Sequence, residues 1–312
     1  MTRRTRVWLI IAAALMVAGI VCCGISFYLA QGNLSAFSTD EYQTMEYEPK
    51  GDYVAISIAT ETADIVFHPS PDGKTRVVCR ENVKSPHTAV IEDNFLKVTV
   101  KNQKQWYDFI SIGDFHEEER IDIYIPRATY NALYIDGDTC DVSIPEGFVF
   151  WTMDINLSTG DVYLACSTSG DTEINTDTGD ITLESLEAGP VDLETDTGLI
   201  NISDMNCHSL KIESGSGDVV LKNVCTAESF GTEANFVVDT DTGDIKLISC
   251  DGYGIEIDTD TGDVHGSLIT DKRVYAESAT GDINIPPLPD DFGMSFCKVE
   301  TDTGNIFIEI EN

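Results

Sequence analysis

The sequence predicts an all-β protein: a β-solenoid of about nine stacked two-strand coils, each of 19 residues, behind an N-terminal transmembrane helix and a strand-rich capping region. Three observations predict it. A Thr-Asp-Thr-Gly-Asp turn recurs through the C-terminal half, apolar and polar residues alternate on both sides of each turn, and an uncharged apolar run of 24 residues stands near the N-terminus.

Residues 1–6 are read as a cytoplasmic tip. The apolar run, residues 7–30 (VWLIIAAALMVAGIVCCGISFYLA), is enough for a helix of about 36 Å and so for one bilayer crossing. It is longer than the apolar core of a cleaved signal peptide, and Tyr28 spoils a small-x-small cleavage site before Gln31. Arg3, Arg4 and Arg6 hold the N-terminus inside, so the expectation is a single-pass signal anchor in the cell membrane with everything after residue 30 extracytoplasmic. Residues 31–44 are polar and aperiodic, as in a linker.

Residues 45–127 alternate strongly in YVAISIA (53–59), ADIVFH (63–68), TRVVCR (75–80), FLKVTV (95–100) and RIDIYIP (120–126), without sharing the 19-residue period. They are expected to start and cap the stack, because a solenoid's terminal units must cover its exposed end.

Residues 128–312 are the repeat domain. TDTGDI at 176–181 returns as TDTGLI (195–200), SGSGDV (214–219), TDTGDI (240–245), TDTGDV (259–264), SATGDI (278–283) and TDTGNI (301–306), with weaker copies at 157–162 and at 137–142, where Cys140 takes the glycine slot. Gly160, Gly179, Gly198 and Gly217 are 19 residues apart, as are Gly243, Gly262 and Gly281; insertions of seven and four residues separate Gly217 from Gly243 and Gly281 from Gly304 and read as loops leaving a regular stack. With the glycine as position zero, minus 5 (Ile174, Leu193, Ile212, Val238, Ile257) and plus 2 (Ile181, Ile200, Val219, Ile245, Val264) are apolar. Nineteen residues cannot close a core alone, whereas stacked copies bury a continuous apolar column. Glycine is expected to supply a positive φ at the turn, and the Thr/Ser column at minus 3 an inward row of hydroxyls.

A strand-rich lead-in, an IYIP segment before Leu133–Ile135 and repeated TGD turns together resemble the bacterial "putative adhesin" domain of unknown function with β-strand repeats, found in LiaG-type membrane-anchored envelope proteins. The resemblance covers roughly residues 50–310. It implies a surface-exposed, non-enzymatic protein serving adhesion or the envelope, and it supplies no catalytic residues.

Charge narrows the partners. The chain has 54 acids and 19 bases; 37 acids and six bases fall in residues 128–312. Nucleic acid, which needs a basic patch, is excluded as a partner. Acids recur in columns at minus 4, minus 2 and plus 1, and such stacked carboxylates must be relieved by solvent, raised pKa or bound cation. Asp241, Asp244, Asp260 and Asp263 form the densest cluster and are the candidate Ca²⁺ ligands, beside the reading that they only shape solvated turns. Trp106, Tyr107, Phe109 and Phe115 are either a contact patch for an envelope glycan or protein or a plug on the stack's end. Cys207, Cys225 and Cys250 fall near one corner, where they either pack inward or bridge, as in Cys207 to Cys225. His68, His87, His208 and His265 are scattered, and no HExxH, GxSxG, Walker loop, CxxC or dinucleotide fingerprint occurs. The reading is a non-enzymatic binding or scaffold module acting as an adhesin at the cell envelope, without a cofactor other than the candidate Ca²⁺. Alternatives are a polysaccharide-acting β-helix enzyme using Lys246 and His265 beside Asp244 and Asp263, or an envelope-stress accessory protein.

Overall fold

In the computed structural model, the described residues are 3–29, 41–101, 118–227, 234–288 and 295–311. The apolar run forms α1, Arg3–Leu29, about 40 Å long at the helical rise. Trp8, Leu15, Met16, Ile20 and Tyr28 on it are exposed. Among the described residues no helix is long and apolar enough to cross a membrane. Side chains such as those of Leu9, Ile10, Ile11 and Phe27 in α1 lie outside them, so the anchor reading rests on the sequence alone.

Everything else described is β-structure in one continuous sheet system. Each coil contributes one strand before and one after its turn, and equivalent strands of neighbouring coils pair in parallel and in register. Before the turn, Ile155, Ile174, Leu193, Ile212, Val238 and Ile257 stand side by side. After it, Val162, Ile181, Ile200, Val219, Ile245 and Val264 do the same. All twelve are at most 1% exposed, so the period-two columns are the core. The minus 3 column is buried as expected except for the half-buried Ser278 on the outermost coil, and Thr176 and Thr195 donate to the glycine carbonyls of the preceding coil, Gly160 and Gly179, at 3.4 Å.

The glycine column has a different cause from the one expected. Positive φ is found at only some of these glycines, for example Gly160 at 145° and Gly217 at 154°. Common to all of them is clearance. A Cβ added at any of the eight turn glycines from Gly160 to Gly304 would fall 1.8–2.1 Å from the carbonyl oxygen of the coil beneath. Within the repeat coils the left-handed residues that carry side chains sit instead at a second corner, six positions after the glycine: Ser185, Asp204, Asn223 and Ser249, with φ from 52° to 56°. Asn, Asp and Ser tolerate that conformation and bond locally; Asn223 Nδ2 donates to Asp204 Oδ1 at 2.6 Å.

The stack is not laid down in sequence order at its ends. The strands are β1 (Tyr42–Tyr47), β2 (Ala55–Thr60), β3 (Asp64–Pro69), β4 (Arg76–Asn82), β5 (His87–Glu92), β6 (Phe95–Val100) and β7 (Arg120–Ile125) in the N-terminal region. β2 and β3 form a coil of the solenoid, paired with the strands of the Cys140 coil. Their turn, Thr60-Glu61-Thr62-Ala63-Asp64-Ile65, is a copy of the repeat motif with Ala63 in the glycine slot, unrecognised in the sequence because the glycine is missing. β6 and β7 lie outside that coil, and antiparallel β5 and β4 close their edges, with β1 beyond β4. At the other end the Gly304 coil inserts between the Gly262 and Gly281 coils, so the Gly281 coil is outermost.

Six cysteines outside α1 are buried, Cys225 is half-buried, and no disulfide joins the described cysteines. Cys207 stands opposite Thr226, and Cys225 opposite Asn206. One register step apart, Cys207 and Cys225 point to opposite sides of the sheet, so inward packing of Cys207 holds rather than the bridge. Burial pushes the Cys207 thiol up to about 12.

Candidate functional site

The two broad faces differ in chemistry because alternation turns different columns outward. On the face before the turn, Glu194, Glu213, Asp239, Asp258, Glu300 and Glu277 form an unbroken in-register column of six carboxylates. Strand spacing sets neighbouring backbones about 4.8 Å apart. Two lysines neutralise part of it from the adjoining column: Lys211 meets Glu213 at 2.9 Å and Asp192 at 3.8 Å, and Lys298 meets Glu300 at 2.8 Å and Glu256 at 3.3 Å. The step from Asp239 to Asp258 lies between them, with Val237 and Glu256 where a lysine could stand. Both aspartates are held above the usual carboxylate range, first by partial desolvation and then by their acidic neighbours.

The sign of the consequence is fixed. A carboxyl whose pKa is raised by folding favours the folded state below its unfolded pKa, and that contribution is lost as pH rises through the folded value. Asp258→Asn is therefore expected to raise stability at pH 7 by about 0.2–1 kcal/mol, the scale of a like-charge cross-strand pair, with the gain vanishing below the ordinary aspartate range. Urea midpoints at pH 7 and pH 3.5 check it; an equal gain at both pH values would show that charge is not the cause.

The plus 1 aspartates work differently. In the inner coils the carboxylate accepts the backbone N–H of the corresponding residue one coil on: Asp161 from Asp180 at 2.8 Å, Asp180 from Leu199 at 2.7 Å, Asp244 from Asp263 at 2.8 Å and Asp263 from Asn305 at 2.7 Å. Asp263 is held below the usual range chiefly by that N–H bond. Of the four candidate Ca²⁺ ligands, Asp244 and Asp263 are thus engaged as turn braces, while Asp241 and Asp260 sit exposed on neighbouring coils. Among the described residues these four do not bring three ligand atoms within 4.8 Å of one another. Trp106, Tyr107, Phe109 and Phe115 lie outside the described residues.

The opposite face carries few charges, with Tyr163, Thr182, Asn201, Val220, Lys246 and His265 outward in register. Lys246 and His265 are direct neighbours, and the His265 ring lies 6.0 Å from that of Phe307. The aspartates beside them are the braced Asp244 and Asp263.

One group escaped sequence reading. Cys79 and Glu81 on β4 and His87 at the start of β5 gather their ligand atoms within 4.8 Å, all buried. Their spacing matches no familiar motif; the available signal was the alternation that puts residues 79 and 81 on one side of a strand.

A family model described as Toastrack DUF4097 matches residues 53–312. No curated protein matches the chain. Among solved structures, a "putative adhesin" from Bacteroides fragilis NCTC 9343 is similar over 88% of this chain and 99% of its own, at 16% identity and a TM-score of 0.45. A "putative adhesin" from Parabacteroides distasonis ATCC 8503 is similar over 87% and 98%, at 12% identity and a TM-score of 0.48. A "putative lipid binding protein" from the same organism is similar over 86% and 96%, at 14% and 0.46. The family match takes in the β2–β3 coil, β4 to β7 at its end and every later coil through Gly304, and on that sequence evidence the chain belongs to the Toastrack DUF4097 family.

Proposed function

We propose that this chain is a membrane-anchored, extracytoplasmic binding scaffold of the bacterial cell envelope, acting in adhesion, with α1 as its anchor. The observation that carries the reading is the division of surface chemistry. A stack of parallel coils holds six carboxylates in one register-locked column on one face and, on the other, a row of Tyr, Thr, Asn and Val that runs on into Lys246 and His265. Such a surface favours a partner that repeats along its length, an envelope glycan or protein, over a small molecule in a cleft. Contact on the acidic face requires cationic groups or bridging divalent cations and weakens as salt screens it.

The test is binding of the full chain, in detergent micelles, to cell-wall preparations and a glycan array with Ca²⁺ or chelator, alongside an Asp239→Asn, Asp258→Asn, Glu300→Gln variant. Retention that falls with salt and in the variant is the expected result. Retention on no surface, or retention indifferent to both salt and variant, overturns the acidic-face reading.

A further inference from the structure

The solenoid's N-terminal end holds a polar cluster that neither the stack nor the acidic face uses. Cys79 and Glu81 alternate onto the inner side of β4, and a short connection returns His87 to them; the three are 0%, 0% and 1% exposed. His87 Nδ1 lies 3.0 Å from Glu81 Oε2, and the Cys79 sulfur completes a group whose ligand atoms all lie within 4.8 Å of one another. Around a tetrahedral zinc, bond lengths of about 2.0–2.3 Å put ligand atoms roughly 3.3–3.8 Å apart, so small side-chain movements bring these atoms onto one ion.

The surroundings orient the same atoms. His87 Nε2 is 3.1 Å from Thr60 Oγ1, which fixes the ring with Nδ1 toward the cluster. Gln43 Nε2 donates to Glu81 Oε1 at 3.1 Å, occupying the oxygen turned away from His87. The His87 backbone N–H also donates to Glu81 Oε2 at 2.6 Å, pinning the carboxylate. Tyr47 donates to the His87 carbonyl at 2.6 Å. Metal-bound histidines and carboxylates carry this kind of outer support. Independently, Ser85 in the same connection holds a buried hydroxyl without a hydrogen-bond partner among the described residues.

We propose that Cys79, Glu81 and His87 form a buried three-ligand site for a zinc-class divalent ion, which clips β4 and β5 across the end of the solenoid. A thiolate, an imidazole and one carboxylate suit Zn²⁺ or Co²⁺ and not Ca²⁺, which takes six to eight oxygens. Binding forms metal–sulfur, metal–oxygen and metal–Nδ1 bonds; the thiol proton leaves to solvent, the proton between Nδ1 and Glu81 is relocated to Nε2, which then donates to Thr60 Oγ1, and no electron is transferred. With the thiolate, carboxylate and neutral imidazole, a 2+ ion leaves the buried cluster without net charge. All three ligands are at most 1% exposed, so loading belongs to folding rather than to later exchange.

The test refolds the full chain in detergent micelles with Co²⁺, with Zn²⁺ or with chelator, and measures bound metal by mass spectrometry and the thiolate-to-cobalt charge-transfer band by absorption. The expected result is a single retained ion per chain, a cobalt–sulfur band and a higher Tm than with chelator. Cys79→Ser is expected to lower retention at least about tenfold, and Cys297→Ser, a buried thiol at the far end of the stack, to leave it unchanged. Should Cys79→Ser fail to fold, Glu81→Gln is read instead, and a shifted cobalt band is expected. A wild-type chain that refolds free of metal, retention in Cys79→Ser equal to wild type, or an unshifted band in Glu81→Gln overturns the site.

Discussion

Gly243→Ala is expected to cost the fold about 3 kcal/mol or more, at the upper end of what overpacking does to a close-packed interior. The added Cβ would lie 2.1 Å from the Gly217 carbonyl oxygen and 2.7 Å from its carbon. Both are backbone atoms, so no flexible side chain can yield. Nor can the coils separate locally, because Gly217 N–H donates to the Thr242 carbonyl and Gly243 N–H to the Thr261 carbonyl, each at 3.0 Å. Gly73→Ala is the control. It sits at φ 73° with nothing within 4 Å of the new carbon, so it pays only for the left-handed backbone, about 1–2 kcal/mol. Gly243 has no positive φ of its own, so urea denaturation of both variants tests clearance directly: a loss in Gly243→Ala well above that in Gly73→Ala assigns the glycine to stacking, and a loss no larger than that of Gly73→Ala overturns that cause.

That distinction marks where sequence reading stopped. The period, the apolar columns and the buried Thr column were legible because each is a residue type repeated at fixed spacing, and the core follows from alternation. Why glycine recurs was not, since a turn that needs positive φ and a turn that passes beneath another backbone select the same residue. The second corner was hidden for a related reason: Ser185, Asp204, Asn223 and Ser249 share a backbone conformation and not a residue type. The β2–β3 coil was missed because Ala63 replaces the one residue that flags the motif. The plus 1 aspartates were visible as a column, but their carboxylates' acceptance of N–H groups from the next coil depends on a register that spacing alone does not supply. Cys79, Glu81 and His87 meet through a strand and a connection, in a region with no period to align them.

Coil order was equally invisible, and it carries the second large effect. Deleting residues 295–312 is expected to release two coils rather than one. In a stack built in sequence order, losing the last coil would leave the Gly281 coil docked on the Gly262 coil. Here the Gly304 coil lies between them: among the described residues Arg273–Thr280 pairs only with Phe296–Thr303, and Ile283–Asn284 only with Ile306–Ile310. The inserted coil also fills a slot the other cannot. Ile308 reaches Gly266, where an added Cβ would come within 2.7 Å of its Cδ1. Glu311 then accepts hydrogen bonds from Ser249 at 2.6 Å and Ser267 at 2.7 Å. Cys297, Val299, Ile306 and Ile308 are at most 3% exposed, and aliphatic side chains of this size contribute about 1.5–3 kcal/mol each on burial. The Gly281 coil offers Val274, Ala276 and Ile283 at the positions of Cys297, Val299 and Ile306, so re-docking would have to slide it one coil inward with the smaller Ala276 in place of Val299 and without the Glu311 bonds. Limited proteolysis of the truncated chain, read by mass spectrometry, is therefore expected to trim it back to about Leu268. A resistant product ending near Leu288 would mean that the outer coil re-docks on the Gly262 coil, and that the inserted order is a preference of the full chain rather than a requirement of its core.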